Sequence, residues 1–143
     1  MEQLITLVNN NPMLSAVWLA LIVMIIFITI KMKLSPVKQL STQELILLVN
    51  KSDGLVIDIR AEKEFKAGHI LDAKHLPIEK ANNNDFASLE KYKDKPIIVV
   101  CTAGMTATKV ANQLLKSGFI QVNLLKGGMN TWSGAGLPTS QNK

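Results

Sequence analysis

The sequence predicts an α/β domain with a mainly parallel sheet flanked by helices, preceded by one transmembrane helix. Three features support this prediction: one long apolar stretch without charge, several short β-branched runs, and helical apolar patterns that alternate with those runs. Such alternation is typical of parallel sheets, because each crossover connection lays a helix on one face of the sheet. The residues after the apolar stretch are enough for one domain with one core.

The apolar stretch covers residues 13–30 and contains no charged side chain. At about 1.5 Å per residue, a helix of this length reaches about 27 Å, close to the thickness of a hydrocarbon core. A cleaved signal peptide is the main alternative, but no Lys or Arg precedes the stretch, and bulky Lys31 and Met32 follow it. We therefore expect an uncleaved anchor within an N-terminal segment of residues 1–33.

The distribution of charge predicts the direction of this anchor. Lys31, Lys33 and Lys38 follow the apolar stretch, whereas no basic residue precedes it. The positive-inside rule then places the N-terminus outside and the C-terminal domain in the cytoplasm, as a single-pass protein of the inner (cytoplasmic) membrane. A reducing cytoplasm also suits a chain with a free thiol.

Composition argues against several classes of function. The formal net charge is +5, but the 16 basic residues are scattered without interleaved aromatic residues, so no nucleic-acid partner is expected. One cysteine cannot form an internal disulfide, and His69 and His75 lack a third ligand at a metal-binding spacing. We expect no metal and no cofactor.

A short linker, residues 34–39, is predicted to join the anchor to a domain that spans residues 40–143. The domain opens with Ser41-Thr42-Gln43-Glu44, which has the spacing of a helix capping box. In such a box the first and fourth side chains each accept a hydrogen bond from the other residue's backbone N–H. Leu45, Leu48 and Val49 would form the apolar face of the helix that follows.

The rest of the domain alternates between the two patterns. Apolar and β-branched runs predict strands at 55–59, 73–78, 97–100 and 122–125. Between them lie a short mixed-charge helix at 60–65 that Gly68 ends, a polar helix-bearing connection at 82–94, and a helix with Val110, Ala111, Leu114 and Leu115 on its core face. Gly127-Gly128 turns the chain into a final short helix, on which Trp132 is expected to anchor the core.

Cys101 is the first residue after the strand at 97–100. In open parallel sheets, ligands bind at the carboxyl ends of the strands. The small residues Thr102, Ala103 and Gly104 allow the chain to curl so that backbone N–H groups point inward, and the next helix adds its unpaired N-terminal donors. These donors favour an anion, either a thiolate or an incoming substrate. Taken alone, the sequence around Cys101 fits a reactive cysteine and an inert structural cysteine equally well.

Short motifs around this cysteine resemble the rhodanese homology domain in their order and spacing, over residues 40–138. They are Asp58-Ile59-Arg60, Glu64-Phe65, Gly68-His69-Ile70, Cys101-Thr102-Ala103-Gly104, Gly118-Phe119 and Gly127-Gly128-Met129-Asn130-Thr131-Trp132. The resemblance implies a five-stranded parallel sheet and a loop cysteine that forms a persulfide from thiosulfate or another sulfane-sulfur donor. The attached anchor is similar to that of small membrane-bound rhodanese-like proteins of bacteria.

The resemblance also implies roles for individual residues. Cys101 would be the nucleophile. The backbone N–H groups of the loop would bind the donor and the transferred sulfur; these are the groups of Thr102, Ala103, Gly104, Met105, Thr106 and Ala107. His69 matches a structural position, while Asp58 and Arg60 would form either a pair that stabilises the fold or a set of substrate ligands.

The loop departs from the pattern of the family, which is usually C-x-x-G-x-R. Thr106 occupies the arginine position, and a hydroxyl brings neither a charge nor a bidentate fork. Loss of that contact would weaken thiosulfate binding about 10- to 150-fold, and sulfur transfer from a protein persulfide would be less affected. Lys109 either compensates or points outward. Related phosphatases and arsenate reductases have Cys-x5-Arg, but Ala107 occupies that arginine position here.

Three functions remain open from the sequence. The first is a membrane-tethered sulfurtransferase or persulfide carrier, whose partner is a small sulfane-sulfur donor or a protein persulfide. The second is a non-catalytic module that binds a membrane protein partner, which Thr106 favours. The third is redox sensing through Cys101.

Overall fold

The computed structural model describes residues 1–33 and 37–141, which form an N-terminal helical unit and an α/β unit. In the first unit, α1 spans Glu2–Asn10 and α2 spans Pro12–Lys33. Pro12 suits the first position of α2, because a proline there removes no intrahelical hydrogen bond. The Pro12–Ile30 part of α2 has a mean hydropathy of 2.8, and its length and composition fit either a membrane span or a signal sequence.

Two hydroxyl groups interrupt the apolar surface of α2, and each donates to the backbone carbonyl four residues earlier. Ser15 Oγ donates to the carbonyl of Asn11 at 3.0 Å, and Thr29 Oγ1 donates to the carbonyl of Ile25 at 2.7 Å. A hydroxyl satisfied in this way needs no water.

The α/β unit is built on a five-stranded parallel sheet in the order β1-β5-β4-β2-β3. The strands are β1 (Lys38–Leu40), β2 (Leu55–Asp58), β3 (Lys74–His75), β4 (Ile97–Val100) and β5 (Val122–Leu125). The central strand β4 is fully buried, as its four β-branched residues predict. The predicted parallel α/β architecture is confirmed.

Helices cover both faces of this sheet. They are α3 (Thr42–Ser52), α4 (Glu62–Ala67), α5 (Ile78–Asn82), a 3-10 helix (Ala87–Tyr92), α6 (Met105–Lys116) and α7 (Gly128–Gly134). Successive residues of β4 point to opposite faces, so Val99 joins the core under α6 with Leu114, while Ile98 joins the core under α3 and α7 with Leu45 and Trp132.

Several boundaries differ from the sequence prediction. Lys38 and Gln39, assigned to the linker, belong to β1, where Lys38 lies opposite Asn123 of β5. Residues 34–36 of that linker lie outside the described residues. The strand predicted at 73–78 contains two strand residues only, because Pro77 is the N-cap of α5, a helix that was not predicted. The helix predicted at 60–65 begins two residues later, at Glu62.

The capping box at the start of α3 is confirmed. The backbone N–H of Glu44 donates to Ser41 Oγ at 3.2 Å, and the backbone N–H of Ser41 donates to Glu44 Oε2 at 2.8 Å. The second bond, followed by contacts with Lys38, lowers the pKa of Glu44 from its ordinary value of 4.5. A carboxyl with a lowered pKa stabilises the fold above its unfolded value, so this contribution is lost as the pH falls through the folded pKa.

We expect Ser41→Ala to lower the free energy of unfolding by about 1 kcal/mol, because α3 loses its N-cap acceptor. Urea titration of the full chain in detergent micelles measures this change. Ser52→Ala, at the exposed C-terminal end of the same helix, is the matched control and is expected to leave stability unchanged. Equal effects of the two substitutions would contradict a capping role.

Candidate active site

Cys101 lies between β4 and α6, at the carboxyl edge of the parallel sheet. Its side chain is 6% exposed, and it packs on the core cluster under α6. The same side chain lines a cleft of about 310 Å³ that opens at this edge. Cys101 is therefore nearly buried and still borders a small cleft at the edge of the sheet.

Gly104 brings a hydrogen-bond donor to the sulfur. Its backbone N–H donates to Cys101 Sγ, with the nitrogen 2.9 Å from the sulfur. Gly104 is also the N-cap of α6 and has a φ of +90°, a left-handed conformation that L side chains rarely adopt. A Cβ at this residue would lie 3.2 Å from the backbone nitrogen of Gly127, a tight contact, so the close approach of two chain segments also favours glycine.

The first turn of α7 holds the other side of the cysteine loop. The backbone N–H of Met129 donates to the carbonyl of Cys101 at 2.8 Å, and that of Asn130 donates to the carbonyl of Thr102 at 3.0 Å. Gly128, immediately before these donors, has a φ of +58°. Gly127-Gly128 was predicted as a turn and belongs to the last of the family-like motifs, but its support of the cysteine loop was not predicted.

The predicted loop residues divide into three groups. The side chains of Thr102, Ala103, Met105 and Thr106 line the cleft beside Cys101. Gly104 contacts the sulfur through its amide. Ala107 is fully buried and packs in the core, so its side chain serves the fold; a role of its backbone N–H stays a prediction.

Two isoleucines that were not predicted as site residues also line the cleft. Ile59 is the first residue after β2, so its position at the same carboxyl edge was available from the strand pattern. Ile78 begins α5, which no pattern predicted. Met105 is 85% exposed at the rim. The cleft is therefore largely apolar around its sulfur.

Among the described residues, Arg60 is the one cation that lines the cleft, and its guanidinium is already engaged. Nη2 lies 2.6 Å from Oδ2 of Asp58 and 2.7 Å from the carbonyl oxygen of Gly68, and Nε lies 3.0 Å from both carboxylate oxygens. The predicted pairing of Asp58 with Arg60 is confirmed. Lys109 donates to Asn82 at 3.0 Å on the surface and is not a lining residue.

The two histidines enclose Phe65 rather than form a pair of ligands. The His69 ring stacks on Phe65 with centroids 4.0 Å apart, and the His75 ring does so at 4.9 Å. His75 Nε2 lies 2.7 Å from the carbonyl oxygen of Arg60, and His69 Nδ1 lies 2.8 Å from that of Phe65. Within the described part of the chain, no group of three His, Cys, Asp or Glu residues is arranged to hold a metal ion.

The sequence of this chain matches a known family over most of its α/β unit. Residues 41–135 match the model of the rhodanese-like domain. The uncharacterized protein YibN of Escherichia coli strain K12 is 39% identical over 143 residues, which are 100% of both chains. Thiosulfate sulfurtransferase GlpE of Coxiella burnetii (strain RSA 493 / Nine Mile phase I) is 37% identical over 103 residues, 72% of this chain and 92% of GlpE.

A solved structure gives the same result for the fold. The rhodanese-like domain protein from Staphylococcus aureus superposes with a TM-score of 0.62 and 27% sequence identity. The match covers 74% of this chain and 99% of that structure.

Proposed function

The chain belongs to the rhodanese-like domain family, and on that premise we propose that it is a membrane-tethered sulfurtransferase or persulfide carrier. Cys101 would hold the transferred sulfur. The observation that carries this proposal is the backbone N–H of Gly104, whose nitrogen lies 2.9 Å from the Sγ of Cys101, a residue that lines the cleft. A donor in that place stabilises negative charge on sulfur, which a thiolate nucleophile and a persulfide both carry.

Sulfur transfer takes place in two steps. In the first, the Cys101 thiolate attacks the outer sulfur of the donor. A sulfur–sulfur bond forms on Cys101, while the donor's own bond to that sulfur breaks and its leaving group, sulfite or a thiolate, departs with the electron pair. In the second step, an acceptor thiolate or cyanide attacks the outer sulfur, and the Cys101 thiolate leaves. No external oxidant or reductant is needed, and the course is ping-pong.

The electrostatics of the cleft favour donors of low charge. The Arg60 guanidinium is committed to Asp58 and Gly68, and Thr106 offers a hydroxyl where the family usually has arginine. A dianionic donor would thus meet backbone dipoles and a hydroxyl, whereas a persulfide carries less charge to neutralise. We therefore place a protein persulfide or another low-charge sulfane-sulfur compound ahead of thiosulfate.

The membrane part of the proposal rests on α2. The length and hydropathy of this helix fit a span, and its hydroxyls at Ser15 and Thr29 each donate to a backbone carbonyl four residues earlier. The lysines after the apolar stretch support a cytoplasmic C-terminal domain. Protease treatment of spheroplasts tests this orientation: the C-terminal domain is expected to be protected until the membrane is permeabilised.

The test of sulfur transfer is a gain of one sulfur atom by the full chain. We expect intact mass spectrometry to show this adduct after incubation with sulfane-sulfur donors. The adduct should disappear with dithiothreitol and be absent from Cys101→Ser, because that substitution removes the lone thiol. An adduct of the same size on Cys101→Ser would contradict the role of Cys101.

The absence of a free cation from the lining, among the described residues, favours a second function. In this alternative the domain is a non-catalytic module that binds a membrane protein partner. No adduct with thiosulfate or with a peptide persulfide, together with specific capture of one membrane protein by the full chain, would support it over sulfur transfer.

A further inference from the structure

The two bonds from α7 to the cysteine loop set the direction of the loop's peptide groups. In a trans peptide, the carbonyl of one residue and the N–H of the next point in opposite directions. The carbonyls of Cys101 and Thr102 point at the N–H groups of Met129 and Asn130. The N–H groups of Thr102 and Ala103 therefore point away from α7.

From this geometry we infer that Gly128 is a positioning residue for the active site. By letting the first turn of α7 approach the loop, it turns the amides of Thr102 and Ala103 toward the side where the cleft lies. There they would add to the amide of Gly104, which donates to the sulfur. Gly128 touches no substrate, and its effect passes entirely through the backbone of the loop.

The need for glycine is steric as well as conformational. A Cβ at Gly128 would collide with the carbonyl oxygen of Cys101 and lie 2.8 Å from that of Thr102. Both obstacles are backbone atoms, which no rotamer change removes. At Gly127 the nearest obstacle is the hydroxyl of Thr131, the end of a side chain that can rotate.

Gly134 supplies a matched control on the same helix. A Cβ there would meet nothing within 4 Å, and its backbone is not left-handed. Gly134→Ala therefore makes the same chemical change as Gly128→Ala without pressing on the loop. The difference between the two variants isolates the contact of α7 with the loop.

The experiment compares two alkylating reagents on Cys101 in the full chain, in detergent micelles. Iodoacetate is an anion and iodoacetamide is neutral, and both react with the same thiolate. The ratio of their rate constants is therefore independent of how much thiolate is present, and it reports how well the cleft accepts negative charge. Cys101 is the lone cysteine, so the rates belong to one site.

We expect Gly128→Ala to lower the ratio of the iodoacetate rate to the iodoacetamide rate about 5- to 10-fold, as misdirected amides weaken contacts with an anion. Gly134→Ala should keep the wild-type ratio. A folded Gly128→Ala variant with the wild-type ratio would overturn the inference. Circular dichroism in the near ultraviolet decides whether the variant is folded.

A second measurement holds even if Gly128→Ala fails to fold. First-turn amides of a helix have no acceptor within that helix, so they exchange quickly unless another segment accepts from them. Hydrogen exchange of the wild-type chain should show slow exchange at Met129 and Asn130. Exchange there as fast as in a free first turn would overturn the inference.

The inference rests on the proposed function, since directed amides serve a persulfide, but it needs no sulfur donor for its test. A chain that forms no persulfide and still shows the expected change of ratio would end the sulfurtransferase proposal and leave the positioning role intact. A chain that forms the persulfide but whose Gly128→Ala variant keeps the wild-type ratio would end the positioning role and leave the sulfurtransferase proposal intact.

Discussion

Thr106→Arg is expected to raise kcat/KM for thiosulfate about 10- to 150-fold, the effect of one charged contact worth about 1.5–3 kcal/mol. Thr106 lines the cleft next to Cys101 and lies in the first turn of α6. A guanidinium there would add two donors and a full charge to a cleft whose one lining cation among the described residues, Arg60, is bound to Asp58.

The matched control is Thr108→Arg, on the exposed surface of the same helix. It adds the same charge to the domain without entering the cleft, so its kcat/KM for thiosulfate should stay near the wild-type value. Initial rates of thiocyanate formation from thiosulfate and cyanide measure both variants. An equal gain in the two would show that overall charge, and not the position of Thr106, limits the use of thiosulfate.

Asp58→Ala is expected to lower the free energy of unfolding by about 3–5 kcal/mol, because it leaves a buried guanidinium without its counterion. The Asp58 side chain is 1% exposed and that of Arg60 is 10% exposed. Asp58 also accepts from the backbone N–H of Arg60 at 3.0 Å, which fixes the chain as it leaves β2. Urea titration of the full chain in micelles measures the loss through Trp132 fluorescence, in a Trp18→Phe background.

Two further variants separate this explanation from simple loss of an ion pair. Glu62→Ala breaks the exposed pair of Glu62 with Lys66 and should leave the free energy of unfolding nearly unchanged, because exposed ion pairs contribute little to stability. Asp58→Ala combined with Arg60→Met removes both buried charges, so it should recover part of the lost stability. A double variant no more stable than Asp58→Ala alone would contradict the explanation by an unpaired charge.

The sequence was most informative where a local pattern and the tertiary structure require the same thing. The runs at 97–100 and 122–125 are strands at those residues; both strands are fully buried, and their residues are all apolar except Asn123. The Ser41–Glu44 capping box likewise depends on neighbours in sequence alone. The position of Cys101 at the carboxyl edge followed from the same strand pattern.

Features that depend on distant contacts were missed. β1 has three residues, of which two are polar and exposed, and only pairing with β5 makes it a strand. Lining of the cleft by Ile78 depends on α5, a five-residue helix too short for a periodic signal. The hydrogen bonds from Met129 and Asn130 to the loop join segments that are far apart in the sequence, so no local motif could predict them.

The pairing of β1 with β5 has a consequence for how the chain folds during synthesis. Lys38 is synthesised well before its partner Asn123, because the two residues are far apart in the sequence. Loop-closure entropy delays such long-range contacts, so the first strand of the domain is among the last to be placed. Until β1 pairs, one edge of β5 stays open. The nascent domain therefore has an interval in which chaperones can bind it.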